Sequence, residues 1–438
     1  MFKNNLLYRR VTLLVVFSII LLCAGQAFSQ SIDRIELGRA KDMLKNIKNE
    51  IKNGYYDPSF HGMDLDARFK AAEEKMDKAG SVDQAFAIIA QAVLDLNDSH
   101  TTFFPPSRSI SVEYGWRMRM IGDKCFVTAV KPKSDAEKMG LKPGDQILSL
   151  ESFKPDRSVL WKMSYFYNAL SPRTALRLKV LSPGEQSPRD LTIPSKVKKA
   201  SAFVSLDELI WSLDHDEGDG DEHRFMSVGD TVIWKMPSFV LNPGDIDSIM
   251  DSRIKSKQNL ILDLRGNGGG YVKSLEELAG YFVTEDTKIA DLKGRKEMKP
   301  MMAQAQKKGF SGKVVVLIDS DSGSAAEIFA RFIQLENRGT VLGDVSAGAV
   351  MQSRIIPMKM GVDTIVPFGM SLTEADVIMK DGKSIEHIGV MPQTVIIPTG
   401  DDLAQQRDPV ISAALKLLGQ DVASDQTGKM FPYKWDDN

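Results

Sequence analysis

The sequence carries little excess charge and few cysteines or histidines. Its 438 residues have a formal net charge of −2, with 2 Cys and 5 His. Binding to nucleic acids or to anionic membranes depends on electrostatic attraction to a positively charged protein. A chain with balanced charge lacks this attraction, so we expect neither as a partner. Two cysteines exclude a small disulfide-rich scaffold. Hydrophobic residues make up 43% of the chain and charged residues 26%, which is typical of a globular protein with room for two or three domains.

Long hydrophobic runs are absent from the sequence after its N-terminus. Lys3, Arg9 and Arg10 precede the apolar run VTLLVVFSIILLCAG, and the small-residue sequence AFS follows at 27–29. This order is the pattern of a secretory signal peptide, and the run is shorter than the ~20 residues needed to cross a bilayer. We predict a signal peptide over residues 1–29 and an exported mature chain, periplasmic or extracellular, without a stable membrane span. A retained membrane anchor is the alternative.

Removal of that segment takes Cys23 with it and leaves Cys125 as the single thiol of the mature chain. An intramolecular disulfide is then excluded, so stability has to come from packing. Cys125 lies in the apolar run KCFVTAV, and we interpret it as a buried small hydrophobic residue.

The pattern of the sequence changes twice along the mature chain. Apolar residues recur at helical spacing up to about residue 96, with Ser81 as a predicted N-cap. Short strand-like runs and turns follow, and then strands and helices alternate, which favours an α/β core. The predicted class is therefore α/β in a multidomain α+β chain. Its predicted segments are a signal peptide (1–29), a helical region carrying His100 (30–107), a β-rich module (108–200), an α/β core (201–420) and a loosely held polar tail (421–438).

A candidate nucleophile follows the apolar strand in KVVVLIDSDSGSAAEIFARFIQ. This strand runs into a Ser/Gly turn, and we predict that a helix begins at or just after Ser324. A helix N-terminus directs N–H groups outward and favours negative charge. A serine there gains alkoxide character, and the N–H of Ala325 is available to an oxyanion. The alternative is that Ser324 only caps the helix.

Three consecutive glycines, Gly268–Gly270, follow the strand in LDLRGNGGGY. Glycines allow the backbone to approach a substrate closely, so we predict that Gly269 and Gly270 supply N–H donors to an oxyanion hole. A flexible loop and a phosphate cradle are the alternatives. A phosphate loop, however, has Lys and Ser/Thr after its glycines, and this sequence has Tyr271 and Val272 there.

The stretch FVTAVKPKSDAEKMGLKPGDQILSLE resembles a PDZ domain of the bacterial protease type, with GLKPGD as its most specific part. PDZ domains bind a peptide C-terminus by adding it as a strand to a sheet edge, and backbone N–H groups hold the carboxylate. The resemblance implies a carboxylate-binding loop near Tyr114, Gly115 and Trp116. The alternative is a β-rich spacer without a ligand.

Four motifs in one order, DLRGNGGG, SGSAAEIFA, VLGDVSAGA and IEHIGVMP, resemble the C-terminal-processing and tricorn-like serine protease family. Together with the PDZ-like module, the resemblance covers nearly the whole mature chain. It implies a crotonase-like catalytic core of the tail-protease type that acts on polypeptides recognised through the C-terminus. It implies no cofactor and no metal, and it leaves homo-oligomerisation open.

The best-known branch of that family uses a Ser–Lys dyad, but this sequence has Ala349 where the lysine is expected. Without a base, a serine hydroxyl is a poor nucleophile. The tricorn-like branch uses a histidine as base, and His100 in LNDSHTT matches that motif. By the same resemblance, Ser99 matches the accessory hydroxyl, and Glu386 in SIEHIGVMP matches the carboxylate that orients the histidine.

Other interpretations stay open from the sequence. One alternative is a Ser–Lys enzyme in which Lys359 replaces the missing dyad residue. A second is an inactive core in a PDZ-containing peptide-binding scaffold. A third is a serine hydrolase that acts on esters. Glu327, one turn into the nucleophile helix, is expected to favour the helix dipole or to line the pocket. The acidic run at 214–223 does not fit EF-hand spacing, so we interpret it as a solvated loop, with an adventitious cation site as the alternative.

Export makes a direct prediction about the mature N-terminus. Cleavage after the AFS sequence should give a protein that begins at or near Gln30. The intact mass of the protein recovered from the exported fraction measures this directly. A mass that retains Met1, with recovery in the membrane fraction, would contradict the prediction.

Overall fold

The computed structural model describes residues 32–108, 110–199, 222–361 and 365–435. Helices and several sheets are interspersed along these residues, which confirms the predicted mixed α/β class. The predicted signal peptide and most of the acidic run lie outside the described residues. Within the described ranges, no helix is both long and apolar enough to cross a membrane.

Amphipathic helices form the N-terminal region, as their periodicity predicts. Polar side chains cap the helix starts, and the predicted N-cap Ser81 accepts a hydrogen bond from the N–H of Gln84 at 3.2 Å. The apolar faces of the helices pack together with the strand that follows them, in one buried cluster. The elements are α1 (Arg34–Gly54), α2 (Leu65–Met76), α3 (Val82–Leu94) and β1 (Thr102–Phe104).

The PDZ-like stretch folds as an antiparallel sheet in the order β3-β4-β5-β6-β7, so that β3 is a terminal strand. Cys125 on β4 is 2% exposed, as predicted, and burial raises the pKa of its thiol to about 12. The elements are β2 (Ile110–Glu113), which pairs with β8, then β3 (Trp116–Ile121), β4 (Lys124–Val130), α4 (Asp135–Lys138), β5 (Gln146–Leu150), α5 (Leu160–Tyr165), β6 (Ala175–Leu181), β7 (Arg189–Pro194) and β8 (Lys196–Lys199).

From residue 222 onward, strands and helices alternate in two sheets. In chain order the elements are β9 (Arg224–Val228), β10 (Thr231–Lys235), α6 (Pro243–Ile249), β11 (Asn259–Asp263), α7 (Val272–Gly280), β12 (Thr287–Gly294), β13 (Met301–Ala303), β14 (Lys313–Ile318), α8 (Ala325–Leu335), β15 (Thr340–Gly343), β16 (Met351–Met360), β17 (Val366–Met379), β18 (Thr394–Val395), α9 (Gly400–Ala404), α10 (Pro409–Leu417) and α11 (Ser424–Thr427).

One sheet has the order β18-β15-β14-β11-β10-β9, and its neighbours are parallel except for the β9–β10 pair. Apolar side chains alternate between two buried clusters, one with α7 and α8 and the other with α10. In a parallel sheet the carboxyl ends of the strands meet at one edge, where ligand sites form. The loops after β11, β14 and β15 therefore lie side by side.

The other sheet is built around β17, which pairs antiparallel with β1, β12 and β16. His100 lies just before β1, and Glu386 lies in the turn region after β17. The chain passes from the parallel sheet to this sheet through residues 344–350, between β15 and β16. The two sheets thus bring together residues that are far apart in the sequence.

The C-terminal segment after Gly419 packs against the molecule, so the prediction of a loosely held tail is wrong for its described part. Met430 and Phe431 pack against the cluster on the α10 face of the parallel sheet. Further on, Arg117 Nε on β3 donates to the Tyr433 hydroxyl at 3.1 Å. The composition of this stretch is polar overall, but its few apolar and aromatic side chains are partly buried and hold it against the molecule.

Candidate active site

Ser324 is the N-cap of α8, so the helix starts at Ala325, as predicted. Its φ of 50° and ψ of −117° lie outside the ordinary regions for a residue with a Cβ atom. The Ser324 N–H donates to the Ala349 carbonyl at 2.9 Å, a contact that helps to hold this conformation. Among the described residues, no acceptor takes the N–H of Ala325.

Gly269 lies directly against the candidate nucleophile. A Cβ atom at Gly269 would come within 2.6 Å of Ser324 Cβ, and the φ of 112° is itself unfavourable for other residues. Contrary to the prediction, its N–H is not available to an oxyanion, because it donates to Asn267 Oδ1 at 2.9 Å. The N–H of Gly270 has no acceptor in the described part of the chain. Gly270 and Ala325 are therefore the predicted donors that remain available.

His100 Nε2 lies 3.2 Å from Ser324 Oγ, although 224 sequence positions separate the two residues. On the other side of the ring, Nδ1 is 2.8 Å from Ser99 Oγ, which donates to Glu386 Oε2 at 2.9 Å. Because the single hydroxyl proton of Ser99 goes to the carboxylate, Ser99 Oγ can only accept from Nδ1. This network favours the tautomer with the proton on Nδ1, in which the lone pair of Nε2 can accept from the Ser324 hydroxyl.

Asp98 fixes the turn that carries the histidine, and sequence reasoning missed it. Its buried carboxylate accepts the N–H of His100 at 2.9 Å and the N–H of Thr101 at 2.7 Å. The Thr373 hydroxyl on β17 donates to the same oxygen at 2.7 Å. An aspartate two residues before a candidate base is a known turn-forming signal that could have identified it.

One sequence interpretation expected Glu327 to line a pocket. It does not, because Glu327 is 0% exposed. Its Oε2 accepts the N–H of Ser324 at 3.1 Å and that of Ala349 at 2.9 Å. Its Oε1 accepts the Ser346 hydroxyl at 2.6 Å and the N–H of Gly348 at 2.7 Å. Burial raises the pKa of Glu327 to about 7, while these four hydrogen bonds oppose the rise.

Lys359, the lysine considered as a substitute base, lies far from Ser324. It is near the distal end of β16, opposite Pro367. At about 3.3 Å per residue this places it about 26 Å from the start of that strand, which adjoins the site. Ala349 contributes two backbone hydrogen bonds, in which its N–H donates to Glu327 Oε2 and its carbonyl accepts the N–H of Ser324. Within the described ranges, no group of three or more His, Cys, Asp or Glu side chains is arranged to hold a metal ion.

The predicted carboxylate-binding residues lie at the start of β3. The Tyr114 hydroxyl donates inward to the Tyr167 carbonyl at 3.0 Å, and burial raises its pKa to about 12. The Gly115 carbonyl accepts from Lys131 N at 2.9 Å, and the Trp116 side chain is 6% exposed. Any ligand contact here would therefore come from the backbone and not from these side chains.

The close approach of Gly269 to Ser324 predicts the effect of adding one methyl group. Gly269→Ala should displace Ser324 and lower its rate of labelling by a fluorophosphonate probe about 100-fold, the order expected for a 1 Å misplacement. Gly62→Ala is the matched control, since Gly62 also has a positive φ but open space around it. Equal labelling of the two variants, measured by mass spectrometry, would contradict the prediction.

Comparisons with known proteins identify the family of this core. The Peptidase family S41 model matches residues 201–396. Carboxy-terminal processing protease CtpB of Bacillus subtilis is 26% identical over 74% of this chain. A carboxyl-terminal-processing protease of Synechocystis is 24% identical over 66% of this chain. The chain spans 64% of the length of each of these two relatives.

Solved structures agree at the level of the fold. The structure of mature CPAF complexed with lactacystin has a TM-score of 0.60 and 14% identity, over 84% of this chain and 96% of that one. The photosystem II D1 C-terminal processing protease has a TM-score of 0.51 and 17% identity, over 88% and 99%. The chain therefore carries a peptidase family S41 domain and is homologous to the carboxy-terminal processing proteases.

Proposed function

We propose that the chain is an exported serine endopeptidase that cleaves unfolded or C-terminally recognised polypeptides. Its nucleophile is Ser324 and its base is His100. The observation that carries the proposal is the 3.2 Å separation between His100 Nε2 and Ser324 Oγ, which is within reach for proton transfer in a site without bound substrate. The reaction needs no cofactor.

In the proposed reaction, Ser324 Oγ attacks the carbonyl carbon of the scissile peptide and His100 Nε2 takes the hydroxyl proton. The same nitrogen then returns that proton to the leaving amine, and water hydrolyses the acyl-enzyme by the reverse route. Ser99 and Glu386 stabilise the imidazolium that forms between these steps. The hydrogen bonds of 2.8 and 2.9 Å that link Nδ1 to the carboxylate support this role.

The oxyanion formed by the attack needs donors fixed in advance. We assign this role to the N–H groups of Ala325 and Gly270. Ala325 adds the positive end of the α8 dipole, which favours negative charge at this point. Gly269 acts sterically, since its lack of a side chain leaves room for Ser324.

A scaffold without activity and a Ser–Lys enzyme are the competing proposals. The scaffold is disfavoured because the nucleophile Ser324, the base His100 and the orienting carboxylate of Glu386 lie in one hydrogen-bonded network. The Ser–Lys enzyme is disfavoured because Lys359 is at the far end of β16.

The domain division and export belong to the proposal as well. We assign residues 30–107 to a helical region with the base, 108–200 to a PDZ-like domain and 201–420 to the protease core. The terminal position of β3 in its sheet supports the PDZ assignment, because a peptide strand could add there. The N-terminal sequence pattern supports export to the periplasm or the extracellular space.

Removal of the base or the nucleophile tests the proposed mechanism. Ser324→Ala and His100→Ala should each lower kcat on unfolded casein by at least about 10⁴-fold, because the members of such a site act as a unit. Glu386→Gln should lower kcat by up to about 10⁴-fold. The wild-type rate should fall toward acid pH, because protonated His100 cannot accept the Ser324 proton.

Lys359→Ala is the control and should keep wild-type activity. If His100→Ala stayed active and Lys359→Ala did not, a Ser–Lys dyad would replace the proposed site. If wild-type protein cleaved no polypeptide and Ser324 resisted the fluorophosphonate probe, the scaffold would be the better proposal.

Peptide binding tests the PDZ-like module separately. Peptides with a free apolar C-terminus should bind more tightly than their amidated forms, because amidation removes the carboxylate. Gly115→Ala should weaken binding, since its Cβ would meet Ser134 Cβ at 2.9 Å at a φ of 73°. Gly184→Ala, at a φ of 79° with open space around it, is the matched control. Equal affinities for the two peptide forms by calorimetry would refute the assignment.

A further inference from the structure

A buried carboxylate lies beneath the candidate nucleophile, outside the groups used in the proposed reaction. Glu327 is in the first turn of α8 and is 0% exposed. Both of its oxygens are fully used, with two donors each at 2.6 to 3.1 Å. One of these donors is the backbone N–H of Ser324 itself.

The other donors lie between β15 and β16, in one of the segments that connect the two sheets. Ser346, Gly348 and Ala349 all donate to Glu327, and the N–H of the next residue, Val350, donates to Glu386 Oε2 at 2.7 Å. One short stretch of backbone is therefore held by two carboxylates. One carboxylate lies under the nucleophile, and the other orients the base.

We propose that Glu327 is a positioning residue, whose carboxylate fixes the Ser324 backbone to the 346–350 segment and so keeps Ser324 Oγ within reach of His100 Nε2. This inference rests on the proposed function. The strained Ser324 conformation supports it, because an unusual φ and ψ persists only where the surroundings over-determine it. Glu327 and the Ala349 carbonyl are the two acceptors of the Ser324 N–H.

The ionised form of Glu327 is the one that can hold this arrangement. A carboxylate accepts from all four donors, whereas a protonated carboxyl group has to direct its own O–H toward one of them. Two titratable groups are linked to Glu327 through its partners: His100 contacts Ser324 Oγ, and Glu386 accepts the N–H of Val350 next to Ala349. With a pKa of about 7, Glu327 loses its charge as the pH falls through neutrality. Activity should therefore need two deprotonated groups, Glu327 and His100.

Glu327→Gln tests the inference, because the amide keeps the shape but turns one acceptor into a donor. We expect kcat on unfolded casein and the rate of fluorophosphonate labelling of Ser324 to fall about 100-fold, as for a misplaced reacting atom, with KM within about threefold of wild type. The acid side of the pH–rate profile should change from a two-proton to a one-proton dependence. Glu276→Gln on α7, where the carboxylate accepts from Met302 N at 2.9 Å, should match wild type.

Ser346→Ala provides a second variant in case Glu327→Gln fails to fold, which the absence of a cooperative unfolding transition would reveal. The Ser346 hydroxyl lowers the pKa of Glu327, so its loss should raise that pKa and move the acid side of the profile to higher pH. A purely structural contact would lower stability without moving the profile.

The outcomes separate the two levels of the proposal. A labelled, active wild type whose rate and profile are unchanged in both Glu327→Gln and Ser346→Ala would overturn the inference alone. A wild type that neither labels at Ser324 nor cleaves any polypeptide would overturn the proposed function, and the inference with it. A lower labelling rate in Glu327→Gln with the changed profile supports both.

Discussion

The site depends on a fixed relation between two sheets, because the nucleophile belongs to one and the base to the other. Ser324 follows β14 of the parallel sheet, while His100 precedes β1, which pairs with β17. The 344–350 segment is one of the connections that the chain makes between the sheets, and the carboxylates of Glu327 and Glu386 both accept hydrogen bonds from it. A shift of about 1 Å between the sheets would break the 3.2 Å contact between the two side chains.

Several hydrogen bonds stabilise each of the three carboxylates at this junction. Buried carboxylates are costly when unpaired, and Asp98, Glu327 and Glu386 each accept several hydrogen bonds from backbone or hydroxyl donors. The base of the glycine loop is held in the same way. Arg265 pairs with Asp263 and with Asp408 near α10. Burial raises the pKa of Asp263, but the charges of Arg265 and Lys235 and the hydrogen bonds from Arg265 outweigh it and lower that pKa to about 2.

Sequence reasoning reached the fold class, the principal strands and helices and the four side chains of the network from Ser324 to Glu386, but it missed Asp98. It did so where the signal is local, as in the strand–turn–helix of Ser324 or the N-cap at Ser81. It was wrong about the Gly269 N–H, because the competing acceptor Asn267 is a neighbour whose side-chain direction no pattern reveals. It was also wrong about the tail after Gly419, where the partly buried Met430 and Phe431 pack against residues that are distant in the sequence.

The sequence by itself determined which side chains were available: a serine at a helix start, a histidine with a neighbouring hydroxyl, a late glutamate and an alanine where a lysine would otherwise stand. These follow from residue identity and short-range backbone preference. The tertiary structure decided which of them meet, which N–H groups stay unpaired and that Glu327 is buried under the nucleophile. Distances of about 3 Å between residues 224 positions apart depend on how two sheets pack, and packing is a property of the whole chain.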